Sequence, residues 1–290
     1  MQILINGFIS GIAIALLAMA FQMVYLPTRV LFVGLAGLYT LAPYLFQMGA
    51  SELGGWMGGL LVSLCGVVTL AVLFEWANHA PLTRKRASEG AHLIASLGLY
   101  ILVVQVVAMI WGNETRTLRT GLEVTYAMGD TILTQSQLLM GGVGLLLLLA
   151  VLAMLYLTDI GLRLRALADN PTQFALYGYN VDAHRLLAFA LAGVLATAAS
   201  LLTARDIGFD PHTGLNATLL AIVAVIIGGR TSLIGPIIGG LLLGLIRAQV
   251  VWQFSARWQE AVTFLVLALF LLLRPQGLFG RETRIETTVK

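Results

Sequence analysis

The sequence predicts an all-α, polytopic membrane helix bundle with about eight or nine transmembrane segments. Hydrophobic residues make up 59% of the 290 positions and charged residues only 11%, about half the usual share of a soluble domain. The mean hydropathy is +0.90, and several apolar runs approach the length of a helical span. Runs such as Leu145–Leu149 do not alternate with polar residues, as barrel strands would. We therefore expect one transmembrane domain over residues 1–290.

Nine apolar segments cover most of the chain. In order they are 3–25, 30–49, 57–76, 92–111, 136–157, 185–203, 215–228, 231–250 and 259–273. The first lacks a basic leader and is too long for a signal-peptide core, which favours a span. The seventh is short and ends at Gly228-Gly229, so it and the eighth form either two spans or one broken, re-entrant pair. Both alternatives leave the flanking loops on the same sides.

The basic residues predict the orientation of the bundle. One set of loops holds Arg29, Arg84, Lys85, Arg86, Arg163, Arg165, Arg185, Arg230, Arg274, Arg281, Arg284 and Lys290, twelve of the seventeen. The other set holds Arg116, Arg119, Arg205, Arg247 and Arg257. Because basic loops are retained in the cytoplasm, we expect the N-terminus outside and the C-terminus in the cytoplasm.

Several kinds of chemistry are disfavoured by the sequence. None of the acidic residues falls in the middle of an apolar segment, and Glu75 and Glu260 come closest, near span ends. This disfavours proton coupling, which needs a titrating group at membrane depth, and leaves sodium coupling open. The two lysines, Lys85 and Lys290, do not follow a glycine as a nucleotide-binding loop requires. The single Cys65 excludes an intrachain disulfide and a thiolate metal cluster.

These observations predict a protein that is not an enzyme and that has no catalytic residues, cofactor or metal. Topology accounts for the basic residues, so the net charge of +3 does not indicate a nucleic-acid partner. Membrane lipid is the partner that the composition itself implies.

The most informative segment is the polar stretch 159–184 between two long apolar runs, which predicts a small helix on the cytoplasmic side. Asn170 is a favoured N-cap, Pro171 suits the first helical position, and Gln173 completes a spacing similar to a capping box. Gly178 is placed to end the helix in the left-handed conformation. So short a helix does not persist alone in water, so it must be held by packing.

Phe174 and Tyr177 are three residues apart, which predicts two aromatic rings on one face of this helix. A capped helix with an aromatic face at a membrane surface has the form of a docking element for a second protein. The alternative is an ordinary loop helix that lies on its own bundle.

A candidate solute path lies in the glycine-rich second half. Glycine breaks between membrane helices commonly mark solute paths, whereas the alternative role of such residues is close helix packing. The candidates are Gly228, Gly229, Gly235, Gly239 and Gly240, together with the polar residues Asn216 and Thr218.

The second half of the chain resembles the permease subunits of branched-chain amino acid ABC importers. Three passages carry the resemblance: 161–182, which contains Leu-Arg-Leu-Arg-Ala-Leu-Ala-Asp-Asn-Pro; 210–244, which begins Asp-Pro-His-Thr-Gly; and 274–280, Arg-Pro-Gln-Gly-Leu-Phe-Gly. Leu93-Ile-Ala-Ser-Leu-Gly98 and Trp111-Gly112 are similar as well. The order and spacing of these passages along some 190 residues make the match fairly specific.

The resemblance implies a bacterial inner-membrane protein that works with four kinds of partner. They are a second permease subunit, two cytoplasmic ATP-binding subunits, an extracytoplasmic solute-binding protein and the surrounding lipid. The ATPase-coupling segment of the family falls on 163–178, the helix derived above. Its candidate residues are Arg163, Arg165, Asn170, Pro171, Phe174, Ala175, Tyr177 and Gly178.

The binding protein is expected to dock on the outer side, near the loop 112–134 and near Arg205, Asp206, Asp210 and His212. These side chains also fit plain interfacial charges. One passage departs from the family: Leu31–Gly37 lacks the Asn and His of the usual Asn-x-Ala-His-Gly. The solute is therefore a branched-chain or related amino acid, or else urea or a short amide. The rival functions are a stand-alone secondary carrier and a structural membrane protein.

Overall fold

A computed structural model describes residues 1–119, 124–128 and 131–280. The α-helices are α1 (Gln2–Thr28), α2 (Leu35–Glu52), α3 (Trp56–Phe74), α4 (Ala80–Arg84), α5 (Glu89–Trp111), α6 (Gln135–Leu157), α7 (Asp159–Asp169), α8 (Pro171–Leu176), α9 (Val181–Asp206), α10 (Thr213–Gly228), α11 (Gly235–Gln253) and α12 (Gln259–Leu273). A π-helical turn (Glu75–His79) joins α3 to α4, and a 3₁₀ turn (Ala256–Trp258) precedes α12. The strands β1 (Thr125–Met128) and β2 (Thr131–Thr134) form an antiparallel hairpin.

The prediction of a helical membrane bundle is confirmed. Each of the nine apolar segments contains one long helix: α1, α2, α3, α5, α6, α9, α10, α11 and α12. Seven helical stretches of the described residues are long and apolar enough to cross a membrane. The hairpin β1–β2 was not predicted, because its few residues lie in a segment expected to be a loop.

The helix termini form two ends of the bundle. The basic end carries segments 29–34, 85–88, 158–180, 229–234 and 274–280. The hairpin end carries the N-terminus, β1–β2 and segment 207–212, and the backbone of Arg116 pairs there with that of Phe209. The described members of the larger basic set therefore share one end, whereas Arg281, Arg284 and Lys290 lie outside the described residues.

Helix α10 runs from the hairpin end to the basic end. Its 16 residues extend about 24 Å, against about 30 Å for the hydrocarbon layer, so it falls short of the seven described helical stretches that are long enough to cross a membrane. Gly228 at its end lies against the backbone of Gly235 at the start of α11, and the two helices therefore form a tight antiparallel pair.

Helix α1 is the central element of the bundle. It packs most extensively on α11 and also on α9, α10 and α6. An added Cβ at Gly240 would lie 2.6 Å from the Cα of Ala15, and one at Gly11 would lie 2.9 Å from the Cα of Leu241. Because membrane helices gain little from apolar burial against each other, such close approach of small residues is what joins them. At the basic end, Gln22 Nε2 donates to the carbonyl oxygen of Arg230 at 2.8 Å.

The passage 274–280 closes the end of α10. The amide of Leu278 donates to the carbonyl of Ile227 at 2.8 Å, and the amide of Phe279 donates to that of Gly228 at 3.0 Å. These bonds satisfy carbonyls that a helix end leaves without intrahelical partners. Gly277 takes a φ of 78° and lies against the backbone of Gly229, which explains the glycine in Arg-Pro-Gln-Gly.

Replacing Gly277 by alanine is expected to destabilise the protein. The left-handed conformation costs a side-chain-bearing residue about 1–2 kcal/mol, and the added Cβ would lie 2.6 Å from the backbone of Gly229. We expect the apparent Tm in detergent to fall by several degrees. Gly90→Ala is the control, since a Cβ there meets nothing closer than 3.9 Å. Equal Tm values for the two variants would contradict this account of the turn.

Candidate functional site

The local chemistry of α7 and α8 explains why this polar segment is folded. The Thr158 hydroxyl accepts from the Gly161 amide at 3.3 Å and begins α7. The Oδ1 of Asn170 accepts from the Thr172 and Gln173 amides at 3.0 Å each and begins α8. Pro171 occupies the first helical position, and Gly178 has a φ of 84°. The predicted helix, its N-cap and its left-handed end are confirmed.

The prediction that Phe174 and Tyr177 share one face is wrong. Phe174 is 3% exposed, whereas Leu176 and Tyr177 are 83% and 81% exposed. The helix is only six residues long and ends at Leu176, so Tyr177 follows the turn away from the bundle. We call Leu176 and Tyr177 the exposed tip.

Phe174 anchors α8 to the start of α9. Its ring is stacked on that of Tyr179 and lies edge-on to that of His184, with centroid distances of 5.0 Å in both cases. The Asn180 side chain caps α9 through the Ala183 amide at 3.1 Å. The anchor and the first turn of α9 are therefore one packed unit.

The two predicted arginines of the coupling segment lie over aromatic rings. The Arg163 guanidinium carbon is 5.3 Å from the centroid of Tyr179, and that of Arg165 is 5.1 Å from the centroid of Tyr156. Such contacts orient the segment and stabilise it by about 0.5–1 kcal/mol at exposed sites. Ala175 is exposed beside the tip.

A buried ion pair at the basic end was not foreseen from the sequence. Glu75 is 1% exposed and Arg185 is 6% exposed, and Arg185 Nε donates to Glu75 Oε1 at 2.5 Å. The pair joins the π-helical turn after α3 to the first turns of α9. In the sequence, Glu75 is only an acid near a span end and Arg185 only a basic residue that indicates topology. Nothing in their positions indicates that they pair. The interruption of α3 by a π-turn, which often marks functional positions, is visible only in three dimensions.

An aromatic cluster lies beside this pair. The Phe32 ring packs on Phe74, His79 and Phe189, with centroid distances of 6.2, 5.6 and 4.8 Å. The Nδ1 atoms of His79 and His92 are 3.1 Å apart. The passage that departs from the family pattern thus supplies a core side chain, because Phe32 is fully buried.

The predicted path glycines lie in helix contacts. An added Cβ at Gly239 would meet the carbonyl of Ala224, and Gly228 and Gly235 face each other, as described above. Gly229 has a φ of 112° and lies against Gly280. Close packing, the alternative weighed from the sequence, accounts for these positions. Thr218 is buried, and Asn216 is exposed.

The largest cavity described lies elsewhere, at the hairpin end. It has a volume of about 720 Å³ and reaches from Gln2 to Leu17 along α1. Its polar lining includes Asn6, Ser10, Tyr39, Thr203, Asp206 and Arg247. A second cavity of about 600 Å³ lies at the basic end and is lined by Arg29, Arg165 and Asp169, among others. Neither cavity is lined by any of the predicted path residues.

The predicted docking residues lie together beside the cavity at the hairpin end. Arg119 Nε donates to the Arg205 carbonyl at 2.6 Å, and its guanidinium is 3.8 Å from the Asp206 carboxylate. Asp210 Oδ1 accepts from the His212 amide at 2.8 Å and from the Thr213 amide at 3.1 Å, which orders the start of α10. Loop 112–119 and segment 205–213 are thus one connected surface.

A family model described as "Branched-chain amino acid transport system / permease component" matches residues 3–271. The chain belongs to this permease family. It is 26% identical to the high-affinity branched-chain amino acid transport system permease protein LivH of Escherichia coli, with 97% of this chain and 96% of LivH covered. It has the same identity and the same coverage of both chains with BraD of Pseudomonas aeruginosa, a permease protein of the same description. The protein is thus a transport permease homologue that crosses the membrane several times.

More distant relatives support the same fold. The ribose import permease protein RbsC of Escherichia coli is 26% identical over 240 residues, 74% of this chain and 75% of RbsC. Among solved structures, PsaBC from Streptococcus pneumoniae in complex with Fab matches with a TM-score of 0.53 and 15% identity, covering 95% of this permease and 94% of that chain. At this identity the structural match shows the fold alone.

Proposed function

We propose that this permease is the transmembrane subunit of an ABC importer for branched-chain or related amino acids in a bacterial inner membrane. It pairs with a second permease subunit, is driven by two cytoplasmic ATP-binding subunits, and receives solute from an extracytoplasmic binding protein. The observation that carries the proposal is the exposed tip of α8, held on a buried anchor at the basic end.

An exposed tip on a fixed base suits the transmission of force. Leu176 and Tyr177 offer apolar and aromatic surface to a partner, and aromatic anchors commonly dominate protein interfaces. Phe174 holds the base, so a displacement of the tip reaches α9 instead of being lost in a loose loop. The chain lacks a phosphate-binding loop of its own, so ATP has to be hydrolysed on a partner.

The charged groups of the cavity at the hairpin end are suited to binding a zwitterionic solute. It presents a carboxylate, Asp206, and a guanidinium, Arg247, among neutral polar side chains such as Asn6 and apolar ones such as Leu17. The present partners of the Arg247 guanidinium include the neutral Thr263 hydroxyl at 3.0 Å and the Gln259 amide oxygen at 3.3 Å. An amino acid has the complementary charges, since its carboxylate pairs with a guanidinium and its ammonium with a carboxylate.

The proposed cycle begins at the hairpin end, which faces the outside. A loaded binding protein docks on the surface of Arg205, Asp206, Asp210 and His212. Closure of the ATP-binding subunits moves the tip of α8, and the bundle switches between inward- and outward-facing states. ATP binding can drive this switch only if the ATP-binding subunits contact the two states differently.

Substitution of the tip tests the proposal. The double variant Leu176→Ala, Tyr177→Ala is expected to lose copurification with co-expressed ATP-binding subunits while its apparent Tm stays that of the wild type. The control is Trp56→Ala, Met57→Ala, which removes two largely exposed side chains at the start of α3 and should leave copurification unchanged. If the tip variant still binds the ATPase and imports solute, the coupling assignment is wrong.

Reconstitution separates the remaining alternatives. Vesicles that hold the full complex should import leucine in the presence of ATP and the binding protein, and should not import urea. A purified permease that transports without any partner would instead be a stand-alone carrier.

A further inference from the structure

The ion pair of Glu75 and Arg185 is only half formed. Arg185 Nε donates to Glu75 Oε1, but Arg185 Nη2 and Glu75 Oε2 are both buried without a hydrogen-bond partner among the described residues. Leaving such charged atoms unpaired in the interior is costly, so each requires an explanation. The two atoms are the other half of a side-on, bidentate arginine–carboxylate pair, in which Nε and Nη2 meet both oxygens.

The two unpartnered atoms are the ones that a second, bidentate arrangement of the pair would use. In this structure the Nε–Oε1 bond is made, and the second arrangement would add a bond from Nη2 to Oε2. Arg185 lies in the second turn of α9 and Glu75 begins the π-turn, so closing the pair changes how α9 sits on α3. Two discrete arrangements of one packed contact are the physical requirement for a switch.

The same part of α9 is attached to α8. His184 precedes Arg185 in α9, and its ring lies edge-on to that of Phe174 with a centroid distance of 5.0 Å. The Asn180 cap fixes the turn between them. A movement of the exposed tip thus reaches Arg185 through one aromatic contact and one helical turn.

We propose that Glu75 and Arg185 form a two-position joint, open in this structure and closed in the other state of the transport cycle, which passes movement of α8 to α3. Arg185 is then a positioning residue for transport and contacts neither the solute nor the ATPase. The proposal rests on the function proposed above, and it adds the point inside the bundle where the motion is transferred.

Arg185→Lys tests the joint because lysine keeps the positive charge but lacks the two parallel N–H donors of the guanidinium group. Lysine is a point charge and cannot make the side-on pair. We expect the variant complex to assemble and to hydrolyse ATP, while solute transported per ATP falls roughly tenfold or more, a usual coupling effect. The matched control is Arg84→Lys, since Arg84 of α4 and Asp182 of α9 form an ion pair at 2.9 Å with side chains 72% and 57% exposed. That exposed pair should tolerate the exchange.

An apolar pair separates coupling from stability. Glu75→Leu, Arg185→Met replaces both charges, which buried sites often tolerate without loss of stability. We expect this variant to fold and bind the ATPase with transport uncoupled from hydrolysis. Wild-type transport per ATP in either variant would overturn the joint, and so would a failure of both variants to assemble. If the wild-type complex itself does not couple ATP to import, the proposed function fails.

Discussion

The Gly244→Leu variant is expected to yield little correctly folded protein. Gly244 of α11 lies directly on the backbone of Gly11 in α1, and even a Cβ would meet that backbone. Backbone cannot yield as a flexible side chain does, so α11 and α1 would have to separate. Overpacking lowers the free energy of unfolding by about 1–3 kcal/mol and occasionally more. We expect a loss at the upper end of this range, because α1 and α11 form the most extensive contact between two helices.

Size-exclusion profiles and apparent Tm of the detergent-solubilised protein measure this effect. Gly142→Leu in α6 is the matched control, because a Cβ there has no neighbour within 4 Å. We expect the control to elute as a sharp peak with the wild-type Tm and Gly244→Leu to aggregate. Comparable peaks from both variants would show that the α1–α11 contact is less tight than described.

Phe174→Ala is expected to release α8 from the bundle without unfolding the membrane helices. Removing a buried phenylalanine ring costs about 3–5 kcal/mol, which is more than a six-residue helix supplies by itself. The loss is local because α8 packs mainly on α7 and on the start of α9, where the Phe174 ring contacts Tyr179 and His184. Copurification with the ATP-binding subunits should therefore fall sharply.

Hydrogen exchange of segment 171–180 distinguishes this outcome from a lost surface contact. We expect fast exchange there in Phe174→Ala, and wild-type exchange in Tyr177→Ala, which keeps the anchor and changes only the exposed tip. Phe174→Leu preserves apolar volume and should restore much of the protection. Protection of the alanine variant equal to that of the wild type would disprove the role of Phe174 as an anchor.

Features decided by neighbouring residues could be predicted from the sequence. The apolar segments and the caps of α8 depend on runs and spacings of a few residues; a helix lies in each of the nine segments, and the Asn170 cap is confirmed. The ring of Phe174 faces the bundle because Tyr179 and His184 lie beyond the turn at Gly178. Helical spacing alone could not supply that information, because the helix ends one residue before Tyr177.

Features decided by distant residues could not be predicted. Glu75 and Arg185 are separated by 110 positions, and each has an ordinary local explanation as a residue near a span end. The glycines of α11 fit a path or a packed contact equally well until α1 is known to be their neighbour. The predicted coupling and docking surfaces each form one connected region, but their roles stay proposals.

The central place of α1 has a consequence for biogenesis. This helix emerges from the ribosome well before its main neighbour, α11, which follows it by about 200 residues in the chain. Until α11 has been inserted, the glycine-lined groove of α1 has to be shielded by lipid or by the insertion machinery. Cotranslational quality control of this permease should thus act after α11 has been inserted and has enclosed α1.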